Sequence, residues 1–188
     1  MTPTIYHLAG PPASGKRTVG LALSTLTGAA LLDNHLFNDA VFKPYGADGW
    51  RPVSDEVRAL ATEVWALGLR AAALAPADVD QIFTAYYTND PRGAEAAARI
   101  PALARTRRAQ YVPVWLSCAP TELSRRVTQP ERQVRAKMRD PARLTALLTG
   151  GGLLPPPPGA LQLDTTALSP DEAAQRIIRF AQSSRQGA

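Results

Sequence analysis

The feature that most constrains this chain is the segment Gly10–Thr18, which reads Gly-Pro-Pro-Ala-Ser-Gly-Lys-Arg-Thr. In the spacing Gly-x-x-x-x-Gly-Lys, the glycines let the backbone curl so that its N–H groups face phosphate oxygens, and the lysine reaches the same oxygens. An apolar run precedes the segment, and a helical pattern beginning at Gly15 follows it. Strand, loop and helix in this order are the setting that such a motif requires. The segment therefore predicts a nucleotide-binding loop of the Walker A type.

The position after the lysine departs from that pattern. It usually carries Ser or Thr, whose hydroxyl binds Mg²⁺, but here it carries Arg17, followed by Thr18. We expect Thr18 to remain available for a phosphate oxygen. The alternative interpretation of the segment is a surface turn with a solvated lysine, but Lys occurs only at 16, 43 and 137 of this Arg-rich chain, and Lys16 stands where a phosphate ligand is needed.

Length and composition bound the class of protein. With 188 residues, 45% of them hydrophobic and 20% charged, the chain is expected to form one domain, residues 1–188, with one core. The lone cysteine, Cys118, excludes an internal disulfide framework and suits a reducing compartment. No apolar stretch has the length of a signal peptide or membrane span. We therefore expect a cytoplasmic protein without a membrane partner, and the sequence leaves its oligomeric state open.

Basic residues are concentrated in one part of the chain. Residues 99–143 hold eleven of the 21 Lys and Arg residues against three acids, Glu122, Glu131 and Asp140. A basic segment can bind nucleic acid or cover a triphosphate. Because aromatic residues are not interleaved with the arginines, as they are in segments that stack bases, we favour the triphosphate over nucleic acid.

Strand-like runs alternate with helical patterns along the chain, which predicts a parallel sheet covered by helices on both faces. The predicted strands are residues 4–9, 30–33, 81–87, 110–118 and 161–164. Pro113 predicts that the fourth strand meets a bulge or an edge.

Helix boundaries are marked by capping residues. The first helix is expected to end near Gly28, a second long helix to begin at Ser54 and end before Pro76, and the last to begin at the capping box Ser169–Glu172. A helix from Pro91 to about residue 108 is expected to be kinked or divided by Pro101. Residues 150–159, with four consecutive prolines, predict a stiff extended connector.

The chain resembles the small P-loop kinases, especially the shikimate-kinase-like and gluconate-kinase-like proteins, with chloramphenicol phosphotransferase a more distant relative. The resemblance is carried by the loop, by Asp33 at the end of the second strand, and by the run Glu122–Arg126 after the fourth. It implies an α/β fold with five parallel strands in the order 2-3-1-4-5 and a mobile, Arg-rich lid, here about residues 122–143. It also implies ATP and Mg²⁺ as cofactors. The loop's departure at Arg17 occurs in adenylate-kinase-like enzymes, where the ion is held largely through water.

The residues expected to contact nucleotide are the loop and one later arginine: Gly10, Pro11, Pro12, Ala13, Ser14, Gly15, Lys16, Arg17, Thr18 and Arg126. The resemblance implies that Arg126 stacks on the adenine and that Arg132, in the lid, reaches the transferring phosphoryl group. Arg135 and Arg139 follow Arg132 at helical spacing. The alternative for each of these arginines is a solvated helix face.

Acceptor and metal residues are expected at the carboxyl ends of the strands, where ligands bind in open α/β sheets. Asp33 is the candidate base and, with Thr18, the candidate Mg²⁺ ligand, directly or through water; its alternative role is a helix cap. Arg58 matches the position where such kinases hold an anionic acceptor, and Thr88 and Asp90 follow the third strand. The chain lacks the paired glycines that shikimate kinases carry there, which argues against shikimate itself.

The sequence is consistent with three functions. The favoured one is a kinase with catalytic residues Lys16, Asp33 and Arg132 that transfers the γ-phosphoryl group of ATP to a hydroxyl of a small molecule. Arg17 also admits a nucleotide or nucleoside kinase. The basic segment admits a nucleotide-binding or RNA-associated protein without catalysis.

Overall fold

Five parallel strands form the centre of the molecule, in the order β2-β3-β1-β4-β5. The structure is a computed structural model that describes residues 2–130, 132 and 137–186. The strands are β1 Thr4–Ala9, β2 Ala30–Asp33, β3 Gln81–Ala85, β4 Gln110–Ser117 and β5 Leu161–Asp164. The predicted fold class and strand order 2-3-1-4-5 are confirmed.

Seven helices connect or flank these strands in the described part of the chain. They are α1 Lys16–Thr27, α2 Asn34–Tyr45, α3 Asp55–Ala73, α4 Pro91–Thr106, α5 Pro120–Val127, α6 Pro141–Thr149 and α7 Pro170–Gln186. The predicted ends of three helices are confirmed. Gly28 takes a left-handed cap with φ 74°, Ser54 accepts from the N–H of Val57, and Ser169 and Glu172 exchange the two bonds of a capping box. No helix of the described residues is long and apolar enough to cross a bilayer.

One boundary differs from expectation. The third strand was predicted to run to Tyr87 but ends at Ala85, because the next residues pair with the segment before β5 instead of with β1. Pro101 was expected to kink or divide its helix, and it does not divide α4, which runs from Pro91 to Thr106. The burial of Ile100, Leu103 and Ala104 on both sides of the proline offsets the backbone bond that the proline removes.

Pro113 lies where β4 has a strand on one side only within the described residues. It pairs with His7 of β1, whereas the pairing of β4 with β5 begins at Val114. The predicted edge position is therefore confirmed, since a proline there removes no hydrogen bond to β5.

Apolar side chains cover both faces of the sheet. On one face Tyr6 and Leu8 of β1 pack with Leu23 of α1 and Ile177 of α7. On the other, Ile5 of β1 belongs to a cluster with side chains of β3, α3 and α4. This alternation along β1 fixes the strand between two helical layers, so the loop that follows Ala9 leaves the sheet from a rigid base.

The proline-rich connector is tied to the residues after β3. Leu154 donates its N–H to Tyr87 O, and Asn89 donates its N–H to Gly152 O, at 3.0 Å each. Leu153 forms an isolated antiparallel bridge with Thr88. Residues 150–159 form neither helix nor a strand of the sheet, as predicted, but the range begins and ends in turns and is not extended throughout. Its part from Gly152 to Leu154 braces the turn that leads into α4.

Candidate functional site

The loop between β1 and α1 has the backbone shape of an anion site. Gly10 has φ 144° and Gly15 φ 83°, conformations that favour glycine. A Cβ on Gly10 would lie 2.1 Å from the Leu116 carbonyl oxygen, so a side chain there would push the loop off β4. Gly15 caps α1 without a side-chain hydrogen bond, which leaves the first N–H groups of the helix open to a ligand.

Lys16 lies folded across this loop. Its ammonium donates to Gly10 O at 2.8 Å and to Pro11 O at 2.6 Å. Burial and the nearby charges of Arg132 and Lys137 lower the pKa of Lys16 to about 7, although Asp33 acts in the opposite direction. The charge of this lysine is therefore poorly compensated by the protein, and an anion in the loop would stabilise it.

Asp33, at the end of β2, has the helix-cap role that was its alternative interpretation, and its role as a base stays a prediction. Its Oδ1 accepts the hydroxyl of Thr84 at 2.9 Å and the N–H of His35 at 3.3 Å, so it caps α2. Its Oδ2 lies 3.0 Å from Nε of Arg17. The carboxylate is 8% exposed, so three neighbours hold it in one position.

A cleft of about 410 Å³ opens in front of the loop. Six cationic side chains line it: Lys16, Arg17, Arg125, Arg126, Arg132 and Lys137. Asp33 is the one carboxylate among its described lining residues. Lys137 was not singled out from the sequence, although its rarity in an Arg-rich chain was a usable signal. The cleft has the charge of a site for a polyanion.

The three described arginines that were predicted after β4 lie in different places relative to the cleft. Arg126 donates to Glu122 at 2.7 Å and to Thr165 O at 2.9 Å, and so lies between α5 and the end of β5. Arg132 lines the cleft and donates to Met138 O at 3.0 Å. Arg139 lies over the ring of Trp50, 5.6 Å from its centroid, and does not line the cleft.

Part of the predicted lid cannot be placed. Arg135 lies outside the described residues, as does Glu131. The described parts of 122–143 include most of α5 and the start of α6, and four described residues between them line the cleft: Gln129, Arg132, Lys137 and Met138. Closure of this segment over a ligand stays a prediction.

A second cavity of about 300 Å³ adjoins the first. The two share the lining residues Asn34, Asn38, Phe42 and Tyr86. The second cavity is also lined by Arg58, Arg92 and Arg99, by Thr88, and by aromatic side chains including Trp65 and Tyr87; its described lining residues include no Asp or Glu. It therefore offers positive charge and apolar surface together.

Of the four residues predicted for the acceptor, two line this cavity, and a third, Asp33, lines the adjoining cleft. Arg58 and Thr88 are the two that line the second cavity. Asp90 lines neither cavity, because it caps α4 by accepting the N–H of Gly93 at 2.7 Å. Arg92 and Arg99 were missed by sequence reasoning; their spacing of seven residues places them on one face of α4 and was the available signal.

A buried hydrogen-bond chain supports the wall of the second cavity. His7 lies between the hydroxyls of Tyr87 and Tyr111, 2.8 Å from each. Burial lowers the pKa of His7 to about 4 and raises the pKa of Tyr111 to about 12, so all three groups are neutral near pH 7. A neutral imidazole accepts a hydrogen bond from one hydroxyl and donates a hydrogen bond to the other. These two bonds fix the ring of Tyr87.

The two candidate Mg²⁺ ligands, Thr18 and Asp33, both line the cleft, but Asp33 is the one carboxylate among its described lining residues. Mg²⁺ is usually bound through one or two carboxylates together with phosphates and water. No group of three His, Cys, Asp or Glu side chains within the described ranges could hold a metal ion. In Asp33, Oδ2 lies against Arg17 and Oδ1 accepts from Thr84 and His35.

Comparisons with known proteins agree with this architecture. No protein-family model matches the chain, and no curated protein is significantly similar to it. A candidate kinase from Chloroflexus aurantiacus has 23% sequence identity over 97% of both chains, with a TM-score of 0.70. A gluconokinase from Sinorhizobium meliloti has 17% identity over 99% of this chain and 97% of that one, with a TM-score of 0.60. A shikimate kinase from Acinetobacter baumannii has 20% identity over 98% and 96%, with a TM-score of 0.54. The chain thus has the P-loop kinase fold.

Proposed function

We propose that this protein is a phosphotransferase that moves the γ-phosphoryl group of ATP to a hydroxyl of a small anionic molecule. The observation that carries the proposal is the pair of adjoining cavities, one with a phosphate-binding loop and six cations, the other with three arginines and no described carboxylate. Solved structures with the same fold include kinases for gluconate and shikimate, which are small hydroxy acids.

In this proposal the loop and the cations bind the triphosphate. The open N–H groups at the start of α1 and the ammonium of Lys16 contact the β- and γ-phosphates. Arg132, which also lines the cleft, stabilises charge that spreads over the γ-phosphate oxygens during transfer. Arg126 holds the nucleotide near the end of β5.

The acceptor occupies the second cavity. Arg58 and Arg99 bind its anionic group, and the aromatic side chains cover its carbon skeleton. Asp33 is the one carboxylate among the described residues of the adjoining cleft. We therefore assign it the role of the base that accepts the proton of the acceptor's hydroxyl. Mg²⁺, expected from the family resemblance, is assigned no ligand of this chain. An ion carried in with ATP would have to rely on phosphate and water oxygens.

The test is a coupled assay of ADP release with a panel of acceptors. Sugar acids and other small hydroxy acids should support turnover, whereas neutral sugars of the same size should not. Nucleosides form a third arm, because the aromatic lining would also suit a base. Arg132→Ala should lower kcat far more than it weakens ATP binding, and the exposed Arg108→Ala serves as its control. Turnover of neutral alcohols or nucleosides alone would refute the anionic acceptor, and an inert panel would favour a nucleotide-binding protein without catalysis.

A further inference from the structure

The ion pair between Arg17 and Asp33 places a fixed cation at the metal-binding position of the loop. Arg17 occupies the position that carries the Mg²⁺-binding hydroxyl in the usual motif. Its Nε lies 3.0 Å from Asp33 Oδ2, and both atoms are buried without a hydrogen-bond partner among the described residues. The guanidinium is 35% exposed and lines the cleft beside Lys16.

Asp33 has little capacity left for a metal. Thr84 and the His35 N–H occupy Oδ1, and Arg17 occupies one side of Oδ2. A metal bound directly to Oδ2 would displace the guanidinium or lie against it. Both outcomes are unfavourable, because the first leaves a half-buried arginine without its partner and the second brings two cations together.

We propose that the guanidinium of Arg17, oriented by Asp33, neutralises nucleotide phosphates in the place of a divalent cation. This inference rests on the proposed ATP-binding function and deepens it. The cleft lined by six cations and one carboxylate suits free ATP, which carries two more negative charges than its Mg²⁺ complex. The affinity for ATP is therefore expected to be nearly independent of Mg²⁺.

Calorimetric titration of the full chain with ATP, once in EDTA and once in excess Mg²⁺, tests this. The wild-type affinity should differ less than about threefold between the two conditions, which corresponds to under about 0.7 kcal/mol. Arg17→Thr, which restores the hydroxyl, should lose affinity in EDTA and regain it with Mg²⁺, a difference of about tenfold or more. Arg17→Lys should stay independent of Mg²⁺.

The matched control is Arg51→Thr, which removes a similar Arg–Asp pair, Arg51 with Asp48, outside both cavities. It should behave as wild type. A wild-type protein that needs Mg²⁺ for binding, or an Arg17→Thr variant with the wild-type ratio, overturns the inference alone. No ATP binding in either condition overturns the proposed function as well, so the two failures are distinguishable. Circular dichroism establishes that each variant is folded.

The outer face of α3 carries exposed leucines. Leu60 is 52% exposed, Leu67 63%, and Leu74, at the C-cap, 85%. They recur every seven residues, and Val64 and Ala71 lie between them on the same face. Residues that line the second cavity, such as Arg58 and Trp65, lie on the opposite side of the helix. The outer face therefore has the heptad pattern of a helix that packs against a second helix. A helix packed on this face, which we call the seam, would not cover the second cavity.

Charged residues on the flank of this seam select the orientation of that helix. Glu63 and Arg70 are both exposed and lie seven residues apart on the same side of the leucines. In an antiparallel pair of identical helices centred on Leu67, Glu63 of each copy faces Arg70 of the other. In a parallel pair the same flank faces Ala61 and Gly68, which carry no charge. Charge complementarity thus favours the antiparallel arrangement.

We infer that α3 packs against α3 of a second copy of this chain, around a two-fold axis near Leu67. Such an interface is self-complementary, as closed dimers require. Leu60 of one copy then meets Leu74 of the other, and the small side chains of Ala71 and Val64 allow close approach. This inference does not depend on the proposed function.

Sedimentation equilibrium of the full chain at about 100 μM tests the dimer. The wild type should be dimeric, Leu67→Glu should be monomeric, and Leu26→Glu, an exposed leucine of α1 on another surface, should remain dimeric. Glu63→Arg should weaken the dimer by about fivefold or more, and adding Arg70→Glu should restore it. A monomeric wild type, or a dimer that is indifferent to Leu67→Glu and to both charge reversals, overturns the inference.

Discussion

The two adjoining cavities are both lined by cationic side chains, but different structural groups provide and hold those charges. In the loop cleft, the key groups are backbone N–H groups, a lysine folded onto its own loop, and a carboxylate 8% exposed. In the second cavity, the arginines are long side chains at helix surfaces, and they pair with exposed acids: Arg92 with Asp55 and Arg99 with Glu95. The loop side of the first cavity is thus held by bonds within the protein, whereas the arginines of the second cavity are held by solvent-exposed ion pairs. A preorganised site loses little conformational freedom on binding, which favours affinity over adaptability.

The largest effect that tests this difference between the two cavities is expected from Lys16→Ala. We expect ATP affinity to fall by about 100-fold or more, because a charge-assisted contact to phosphate in a half-buried site is lost. The fold should persist, since the hydrogen bonds that the lysine forms with described residues go to two carbonyls and the Ser14 hydroxyl of its own loop. Calorimetry measures the affinity and thermal unfolding the stability.

Lys43→Ala is the control for that variant, because Lys43 is exposed on α2 and pairs with Asp39. It should bind ATP as the wild type does. Equal affinity in the two variants would contradict the loop assignment and with it the contrast between the cavities.

The second test uses pH. The pKa of Lys16 is about 7 in the free protein, far below its usual value, and bound phosphate should raise it. Above pH 7 the free lysine is mostly neutral and must take up a proton when ATP binds, so affinity falls as pH rises, by up to about tenfold per pH unit. Measurements from pH 8 to 9 avoid the ionisation of the phosphate itself, which lies near pH 6.

Lys16→Arg supplies the reference, because a guanidinium stays charged throughout that range. Its ATP affinity should be flat from pH 8 to 9. Proton uptake by the wild type, measured in buffers of different ionisation enthalpy, gives a second check. A flat wild-type profile without proton uptake would show that the loop lysine is already fully charged.

The smallest effects are expected in the second cavity. Arg99 is 32% exposed and Arg92 85% exposed. Arg99→Ala should raise the KM for an anionic acceptor about fivefold, and Arg92→Ala less than about twofold, because solvent screens the more exposed charge. ATP affinity should be unchanged in both. The reverse order of the two variants would show that the ligand binds at the cavity's rim.

The loop cleft is more predictable from the sequence than the second cavity, for a physical reason. The bounds of β1, β2 and β5 follow from local apolar runs, and the loop follows from its glycines, which are local backbone requirements. The pairing of Arg17 with Asp33 joins residues sixteen positions apart across a helix and a strand, so no local pattern encodes it. Arg99 lies in an alanine-rich helix where a solvated face was an equally good interpretation. Its side of the cavity exists only because Tyr87 and Thr88 leave the sheet to pair with the connector.

That connector acts as a spacer of fixed length. Four consecutive prolines, Pro155–Pro158, cannot donate backbone hydrogen bonds, and the run ends in a turn in which Ala160 donates its N–H to Pro157 O at 3.1 Å. One end is held by the bonds of Gly152 and Leu154 to the residues after β3, and the other leads into β5, where Leu163 pairs with Leu116. Because side chains alternate across a strand, the loss of one proline would turn Leu163 from the core to solvent. The length of this run, more than its composition, therefore sets the register of the last strand.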